Sequence, residues 1–162
     1  MYPTVFCVNF FFLVFILYRL HMASAWLVIG DGLSFFIYLV LVVWELFVST
    51  SLNDLESDII AAKDLCDQLN PFILPAYMLH AGVCLLILCC NKWFLFLLQI
   101  PVLVIHIQKY RKKKIRLDFM SVRRADVLED LFKYHYAHVA FYLLGFLWTF
   151  IAFANLISSF FI

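Results

Sequence analysis

Long runs of apolar residues, separated by short polar stretches, dominate this chain. Four of the runs cover residues 33–50, 71–90, 93–108 and 139–162. A helix of about 20 mostly apolar residues crosses a hydrocarbon core of ~30 Å, so each run predicts a membrane-spanning helix. No segment shows the apolar/polar alternation, about 10 residues long, that is typical of a membrane β-barrel strand. The pattern therefore predicts an all-α integral membrane bundle with four spans.

The polar stretches between the runs predict how the spans are connected. Only Asn91 and Lys92 separate the second span from the third. A connection this short predicts a tight helical hairpin, so these two spans are antiparallel. The flanking segments 51–70 and 109–138 must then lie on the same side of the membrane.

A fifth, shorter apolar run, Val5–Tyr18, lies in an N-terminal extension, 1–32, that precedes the four-span domain, 33–162. Three interpretations fit it. It is an extra hydrophobic helix; or it is the core of a signal peptide cleaved after the small residues Ala23–Ala25; or it lies upstream of the true start at Met22. The sequence leaves these alternatives open.

The second polar segment contains a helical pattern of its own. Within Val122–Tyr136, an apolar stripe recurs at helical spacing, and charged residues lie largely opposite to it. The stripe consists of Val127, Leu128, Leu131 and Phe132. This pattern predicts either an amphipathic helix lying on the membrane surface or a helix that packs on the loop and caps the bundle.

Two prolines mark the predicted start of the second span. Pro71 and Pro75 are expected in its first turn, where a missing N–H removes no helical hydrogen bond. Asn70, just before them, is expected to cap that helix. Pro101 lies inside the third span, where it should kink the helix or free a carbonyl in the preceding turn.

The composition agrees with a membrane protein. Hydrophobic residues make up 66% of the 162 residues and charged residues 14%, whereas soluble domains contain roughly 45–50% and about 25%. This composition excludes a water-soluble fold of this length, which would have too few polar side chains to cover its surface. It also excludes intrinsic disorder.

The net charge is only +1, but the charges are unevenly distributed. Eight of the 12 Lys and Arg residues lie between Lys109 and Arg124, whereas 51–70 is acidic. Positively charged loops remain in the cytosol, and acidic residues contribute little to this rule. Both segments are therefore predicted to be cytosolic, which places Leu33 and the C-terminal Ile162 on the lumenal side.

Four polar residues within the spans are candidates for chemistry. They are Glu45, Tyr77, His80 and His106. Tyr77 and His80 are one helical turn apart and share a face, which indicates either a hydrogen bond that holds the bundle or a polar patch that recognises a cargo helix. Glu45 is expected to extend towards the nearby cytosolic loop, and His106 to be interfacial.

Enzymatic and metal sites lack support in this sequence. No Ser-x-x-Lys, Gly-x-Ser-x-Gly, His-x-x-x-His or glycine-rich phosphate loop occurs. The five cysteines lack the paired spacing of a metal site, and they are interpreted as small apolar residues in lipid. The basic run 111–114 is typical of a membrane-flanking signal, not of a nucleic-acid patch. We therefore expect no catalysis, cofactor, metal or nucleic-acid partner.

The residues from Leu52 to Tyr110 resemble the cornichon family. The strongest match is the block Leu-Asn-Pro-Phe-Ile-Leu-Pro-Ala-Tyr-Met-Leu-His at 69–80, preceded by Asn-Asp-Leu-Glu-Ser-Asp at 53–58. Pro101, 106–110, 125–128 and 140–144 match as well, so the resemblance extends from about Leu33 to Ile162. It departs at Ala76, where relatives have an acidic residue, and at 118–122, where a coat-contacting motif is only partly kept.

This resemblance implies a receptor that gathers membrane-protein cargo at the endoplasmic reticulum and links it to the COPII coat. The expected location is endoplasmic reticulum and Golgi membranes. One branch of the family serves as auxiliary subunits of ion channels or receptors and alters their trafficking and gating; this is the alternative. The expected cargo-binding residues are Tyr77, His80, Ala76 and Glu45. The expected coat-binding residues are Asp118, Val122, Arg123, Arg124 and Asp126.

Overall fold

A computed structural model describes residues 3–112 and 115–161, with side chains from Trp26 onward except those of 113–114, 156 and 159–162. Four helices and no strand form in this described part of the chain. They are α1 (Pro3–Glu56), α2 (Ala62–Cys89), α3 (Trp93–Arg111) and α4 (Ala125–Phe161). The predicted all-α class is confirmed.

All four helices contain segments long and apolar enough to cross a membrane. These segments are Trp26–Glu56, Ala62–Cys89, Trp93–Arg111 and Ala125–Asn155. Three of them have 28 to 31 residues. At 1.5 Å per residue this corresponds to over 40 Å, which exceeds a hydrocarbon core of ~30 Å. The predicted four-span bundle is confirmed, and most of its helices are longer than the hydrocarbon core is thick.

The helices form a ring in which α1 packs against α2 and α4, and α3 packs against the same two helices. We call the end with residues 57–61 and 112–124 the loop end, and the end with 90–92 the hairpin end. Two groups of buried apolar side chains hold the ring together. One lies towards the loop end around Leu52 and Leu69, and the other lies deeper around Tyr38 and Val102.

The predicted acidic loop, 51–70, is mostly helical. Helix α1 continues to Glu56 and α2 begins at Ala62, so only 57–61 connect them. The prediction was wrong because acidic residues here occupy the outer face of each helix, while Leu52 and Leu69 on the inner face are buried. A helix needs only one apolar face to be stabilised by packing.

The expected positions of the two prolines and of Asn70 were wrong, because α2 begins at Ala62, well before the predicted start of the second span. Pro71 and Pro75 lie inside α2 rather than in its first turn, and Asn70 does not cap the helix. A proline inside a transmembrane helix frees the carbonyl four residues before it, and this carbonyl can then bond to another group. Helix α3 likewise continues from Trp93 to Arg111 through Pro101.

The amphipathic segment Val122–Tyr136 does not form a separate helix on the membrane surface. From Ala125 onward it is the first part of α4, which continues into the span without a break. Its apolar residues Leu128, Leu131 and Phe132 pack against the buried group at the loop end. The capping interpretation describes this packing better, because three of the four stripe residues are half-buried against the bundle itself.

The hairpin prediction is confirmed at residues 90–92, where α2 ends and α3 begins. Asn91 adopts a left-handed conformation with φ of 59°, which reverses the chain in a short connection. Lys92 forms an ion pair with Asp31 of α1, so the hairpin is fixed to the first span.

The side chains before Trp26 and the terminal Ile162 lie outside the described residues. Helix α1 passes through the predicted boundary at 32–33, and the three interpretations of the N-terminal extension stay predictions.

Candidate functional site

Three histidines from three helices meet inside the bundle. His106 of α3 is central: its Nε2 lies 3.1 Å from Nε2 of His138 in α4, and its Nδ1 lies 3.3 Å from Nδ1 of His80 in α2. All three side chains are buried. His106 was expected to be interfacial; its ring is buried between the helices, and its depth in the membrane stays a prediction. We call these residues the histidine cluster.

A hydrogen-bond acceptor lies at each end of the histidine cluster, and the two acceptors limit which ring nitrogens can carry a hydrogen. Nδ1 of His138 lies 2.7 Å from the carbonyl oxygen of Tyr134, and Nε2 of His80 lies 3.3 Å from Oε1 of Gln99. The Gln99 amide is oriented because its Nε2 donates to the Phe141 carbonyl at 3.1 Å.

The row from the Tyr134 carbonyl through the three histidines to Gln99 contains four contacts. Each contact needs one hydrogen to be a hydrogen bond, but three neutral imidazoles carry only three N–H hydrogens. The contact between Nε2 of His80 and Oε1 of Gln99 is then one between two acceptors, and Nε2 can instead accept a hydrogen bond from the thiol of Cys84, 3.6 Å away. With this donor, all three rings are hydrogen-bonded while uncharged. An uncharged cluster suits the interior of a membrane protein, where a charge is costly.

Aromatic side chains extend the cluster towards the loop end. The ring of Tyr77 stacks on His106 with centroids 3.9 Å apart, and its hydroxyl is 3.0 Å from that of Tyr134. Nζ of Lys109 lies 3.1 Å from the centroid of the Tyr134 ring, a cation–π contact. Tyr77 and His80 thus share a face, and this face is turned inward.

Glu45 joins α1 to this arrangement. Its Oε2 lies 2.6 Å from Nδ1 of His135 in α4, and the residue is only 4% exposed. The expectation that Glu45 extends towards the loop was wrong, because its carboxylate has a partner inside the bundle. Glu45, the histidine cluster, Tyr77, Tyr134 and His135 together link all four helices.

A second polar contact closes the loop end. Nδ2 of Asn70 donates to the carbonyl of Leu117 at 3.1 Å, and the Leu117 N–H donates to Oδ1 of Asn70 at 2.7 Å. This pair of bonds attaches the segment after α3 to the first third of α2. We call it the Asn70 clamp.

The family model described as "Cornichon protein" matches residues 25–151 of this chain. The chain belongs to the cornichon family. The matched range contains the histidine cluster, Glu45 and the Asn70 clamp.

Individual cornichon-family proteins are also similar to this chain. "Protein cornichon" of Drosophila melanogaster is 30% identical over 111 residues, which cover 65% of this chain and 77% of that protein. The Drosophila virilis protein of the same name gives the same values. "ER-derived vesicles protein erv14" of Schizosaccharomyces pombe is 38% identical over 80 residues, which cover 49% of this chain and 58% of that protein.

The four residues expected to bind cargo differ in how they are placed. Tyr77, His80 and Glu45 belong to the inward-facing polar arrangement, and His80 is fully buried. Ala76 is half-buried on α2 and lies outside that arrangement. Cargo binding by these residues stays a prediction.

The five residues expected to bind the coat lie close together at the loop end. Val122 is 1% exposed and packs into the buried apolar group. Its neighbours are exposed: Arg123 pairs with Asp58 of the other loop, and Arg124 pairs with Asp126 at 2.7 Å. Asp118 is exposed as well, and its carbonyl accepts the Val122 N–H. Coat binding stays a prediction.

Sequence reasoning missed several members of this polar arrangement. Gln99 was detectable, because it is a polar residue inside a predicted span. His135 and His138 were not, because both were assigned to the segment 109–138 between the third and fourth spans. In the part of the chain that is described, no group of three His, Cys, Asp or Glu side chains is placed to hold a metal ion.

Proposed function

We propose that this cornichon-family protein is a receptor that collects membrane proteins at the endoplasmic reticulum for export in vesicles. The observation that carries this proposal is the family match over 25–151, which spans nearly all of the bundle. The similarity to a protein named for vesicles derived from the endoplasmic reticulum supports the same process. Membranes of that organelle and its vesicles are therefore its expected location.

The structure supports a mechanism based on contacts between helices. The buried polar groups described above are bonded to one another across helices, so they stabilise the bundle. The lipid-facing surfaces are apolar, such as the stripe of Phe36, Val40 and Val43 on α1. Lipid gives no hydrophobic driving force for two helices to meet, so close packing and a few polar bonds select a partner.

Cargo selection in this proposal depends on the predicted residues in two ways. Ala76 is accessible on α2, where a small side chain lets another helix approach closely. Tyr77, His80 and Glu45 determine how α2 and α1 are held against α4. Changes to their bonds would alter the shape of the surface that a cargo helix meets.

The double variant Tyr77→Phe, His80→Leu tests this mechanism. The double change removes the Tyr134 bond and the polar contacts of His80 but keeps most of the side-chain volume. Each polar contact in a membrane is worth roughly 0.6–2 kcal/mol, which corresponds to about 3- to 30-fold in an equilibrium constant. We expect normal protein levels, reduced recovery of membrane-protein cargo in proximity labelling, and retention of that cargo in the endoplasmic reticulum.

Tyr136→Phe is the matched control, because this tyrosine is exposed on α4. It should leave cargo recovery unchanged. Degradation of the double variant would mean that the pair serves the fold alone. Unchanged cargo recovery would place the recognition surface elsewhere, on the exposed stripe of α1. A single dominant channel as the labelled partner would favour an auxiliary subunit instead of a cargo receptor.

We also propose that the loop end faces the cytosol and contacts the vesicle coat. The basic segment after α3 supports this orientation through the positive-inside rule. Val122 anchors the segment in the bundle, and the exposed Asp118, Arg123, Arg124 and Asp126 remain accessible. Hairpin and C-terminus are then lumenal.

Glycosylation acceptors inserted by mutagenesis test this orientation. Acceptors with spacers between Cys90 and Trp93, and after Ile162, should be modified, because both places are lumenal in the proposed topology. An acceptor at Lys112 should stay unmodified. Gel mobility before and after glycosidase treatment gives the result. Modification at Lys112 would invert the topology and would remove the loop end from contact with any cytosolic coat.

A further inference from the structure

An open cleft lies at the loop end between α2, the end of α3 and the segment that follows α3. Its volume is about 740 Å³. Its inner wall is apolar, with Leu74 and the rings of Pro71 and Pro75, and Arg111 and Arg116 line it as well. The cleft thus combines an apolar wall with two cationic groups.

The position of Arg111 places this cleft at the level of lipid headgroups. Helix α3 has 19 residues from Trp93 to Arg111. At 1.5 Å per residue it is about 28 Å long, close to the ~30 Å thickness of the hydrocarbon core. When Trp93 lies at one boundary of the core, Arg111 therefore lies at the other, beside the phosphates.

The charges of the cleft favour an anion. Both arginines are exposed, and no carboxylate lines the cleft in the described part of the chain. Among the described residues, the ion pairs involve other basic side chains and not these two. Guanidinium groups bind phosphate oxygens with two parallel hydrogen bonds.

The Asn70 clamp gives this cleft a defined shape. It bonds both backbone groups of Leu117 to the side chain of Asn70, and so holds the neighbouring Arg116 against α2. Pro75 has no N–H, so the carbonyl of Pro71 lacks its usual helical partner. This carbonyl belongs to a residue of the cleft wall and can accept a hydrogen bond from a headgroup hydroxyl.

We propose that the cleft binds one anionic phospholipid of the leaflet at the loop end. Its phosphate lies between Arg111 and Arg116, and an acyl chain follows the apolar wall along Leu74. A lipid fits better than a soluble anion, because the cleft opens at the membrane boundary and most of its wall is apolar. This inference concerns the bundle itself and does not depend on cargo export.

Native mass spectrometry of the purified full-length protein tests the proposal. The protein is released from bilayer discs that contain equal amounts of phosphatidylcholine and phosphatidylinositol, and the retained lipids are counted. We expect one phosphatidylinositol retained in preference to phosphatidylcholine. Arg111→Gln with Arg116→Gln should lower this preference by roughly 5- to 30-fold, because each basic group near the surface contributes about fivefold.

Two further variants separate the cleft from general charge attraction. Lys63→Gln with Lys133→Gln removes the same charge from exposed positions outside the cleft, and it should keep the preference. Leu74→Trp keeps every charge but fills the apolar wall, and it should abolish retention. Equal losses in the two charge variants would overturn the proposal in favour of nonspecific attraction. Displacement of the lipid by a soluble hexaglutamate peptide would also overturn it, by assigning the cleft to an acidic protein segment.

Discussion

Replacing His106 with alanine is expected to destabilise the bundle more than any other single change in its polar interior. The ring is buried, stacks on Tyr77 and contacts His80 and His138. Truncating a large buried side chain to alanine costs about 2–5 kcal/mol through lost contacts and the cavity that remains. Each lost polar contact adds about 0.6 kcal/mol in a membrane protein. We expect a total loss of about 3–5 kcal/mol in the free energy of unfolding.

Thermal unfolding in detergent, followed with a thiol-reactive dye at the buried cysteines, measures this effect. His106→Leu is the informative partner, because leucine keeps most of the volume and loses only the polar contacts. It should be destabilised by about 1–2 kcal/mol. Tyr136→Ala, at an exposed aromatic residue of the same bundle, should change stability little. Equal losses for alanine and leucine at 106 would show that the ring's volume does not hold the helices together.

Gly145→Ala is expected to give the next largest loss of stability. A Cβ atom at this position of α4 would lie 2.6 Å from Cε1 and 2.7 Å from Cζ of Tyr38. The Tyr38 ring is fully buried and cannot move aside freely. Nε2 of Gln99, 3.0 Å from the added atom, would also be displaced from its bond to the Phe141 carbonyl. Overpacking of this kind costs about 1–3 kcal/mol.

Gly82→Ala is a matched control, because a Cβ atom there meets nothing within 4 Å. It should be neutral or stabilising by up to about 1 kcal/mol, since alanine favours a helix over glycine. Comparing the two unfolding temperatures in the same detergent isolates the effect of close approach between α1 and α4. If Gly145→Ala were as stable as Gly82→Ala, the contact between Tyr38 and Gly145 would not limit helix packing.

Helix lengths show where sequence patterns lose information. The hydropathy of 51–70 predicted a loop, yet its two halves extend α1 and α2, because Leu52, Leu65 and Leu69 bury a common face. The segment before residue 139 was predicted to be separate from the fourth span because it is polar, yet from Ala125 onward it belongs to the same helix, α4. A helix outside lipid is stabilised by packing on its neighbours, and a count of apolar residues does not contain that information.

The polar interior was only partly predictable. Glu45, Tyr77, His80 and His106 stood out because ionisable residues are rare in apolar runs. Such residues need hydrogen-bonding or charged partners inside the membrane. Their partners Tyr134, His135 and His138 come from a segment whose depth in the membrane was misjudged. The Asn70 clamp depends on Leu117, 47 positions away along the chain, and no local pattern indicates such a contact.

The sequence by itself determined the all-α class, the four spans, the tight hairpin and the family. These follow because backbone groups in lipid must bond within their own helix, so apolar runs of sufficient length have little alternative to spanning helices. Only the tertiary structure decided which face of each helix turns inward. Many of the side chains between the helices are as apolar as those that face lipid, so hydropathy does not distinguish inward from outward faces. The inward faces were fixed instead by bonds between distant residues, such as Glu45 with His135 and His106 with His80 and His138.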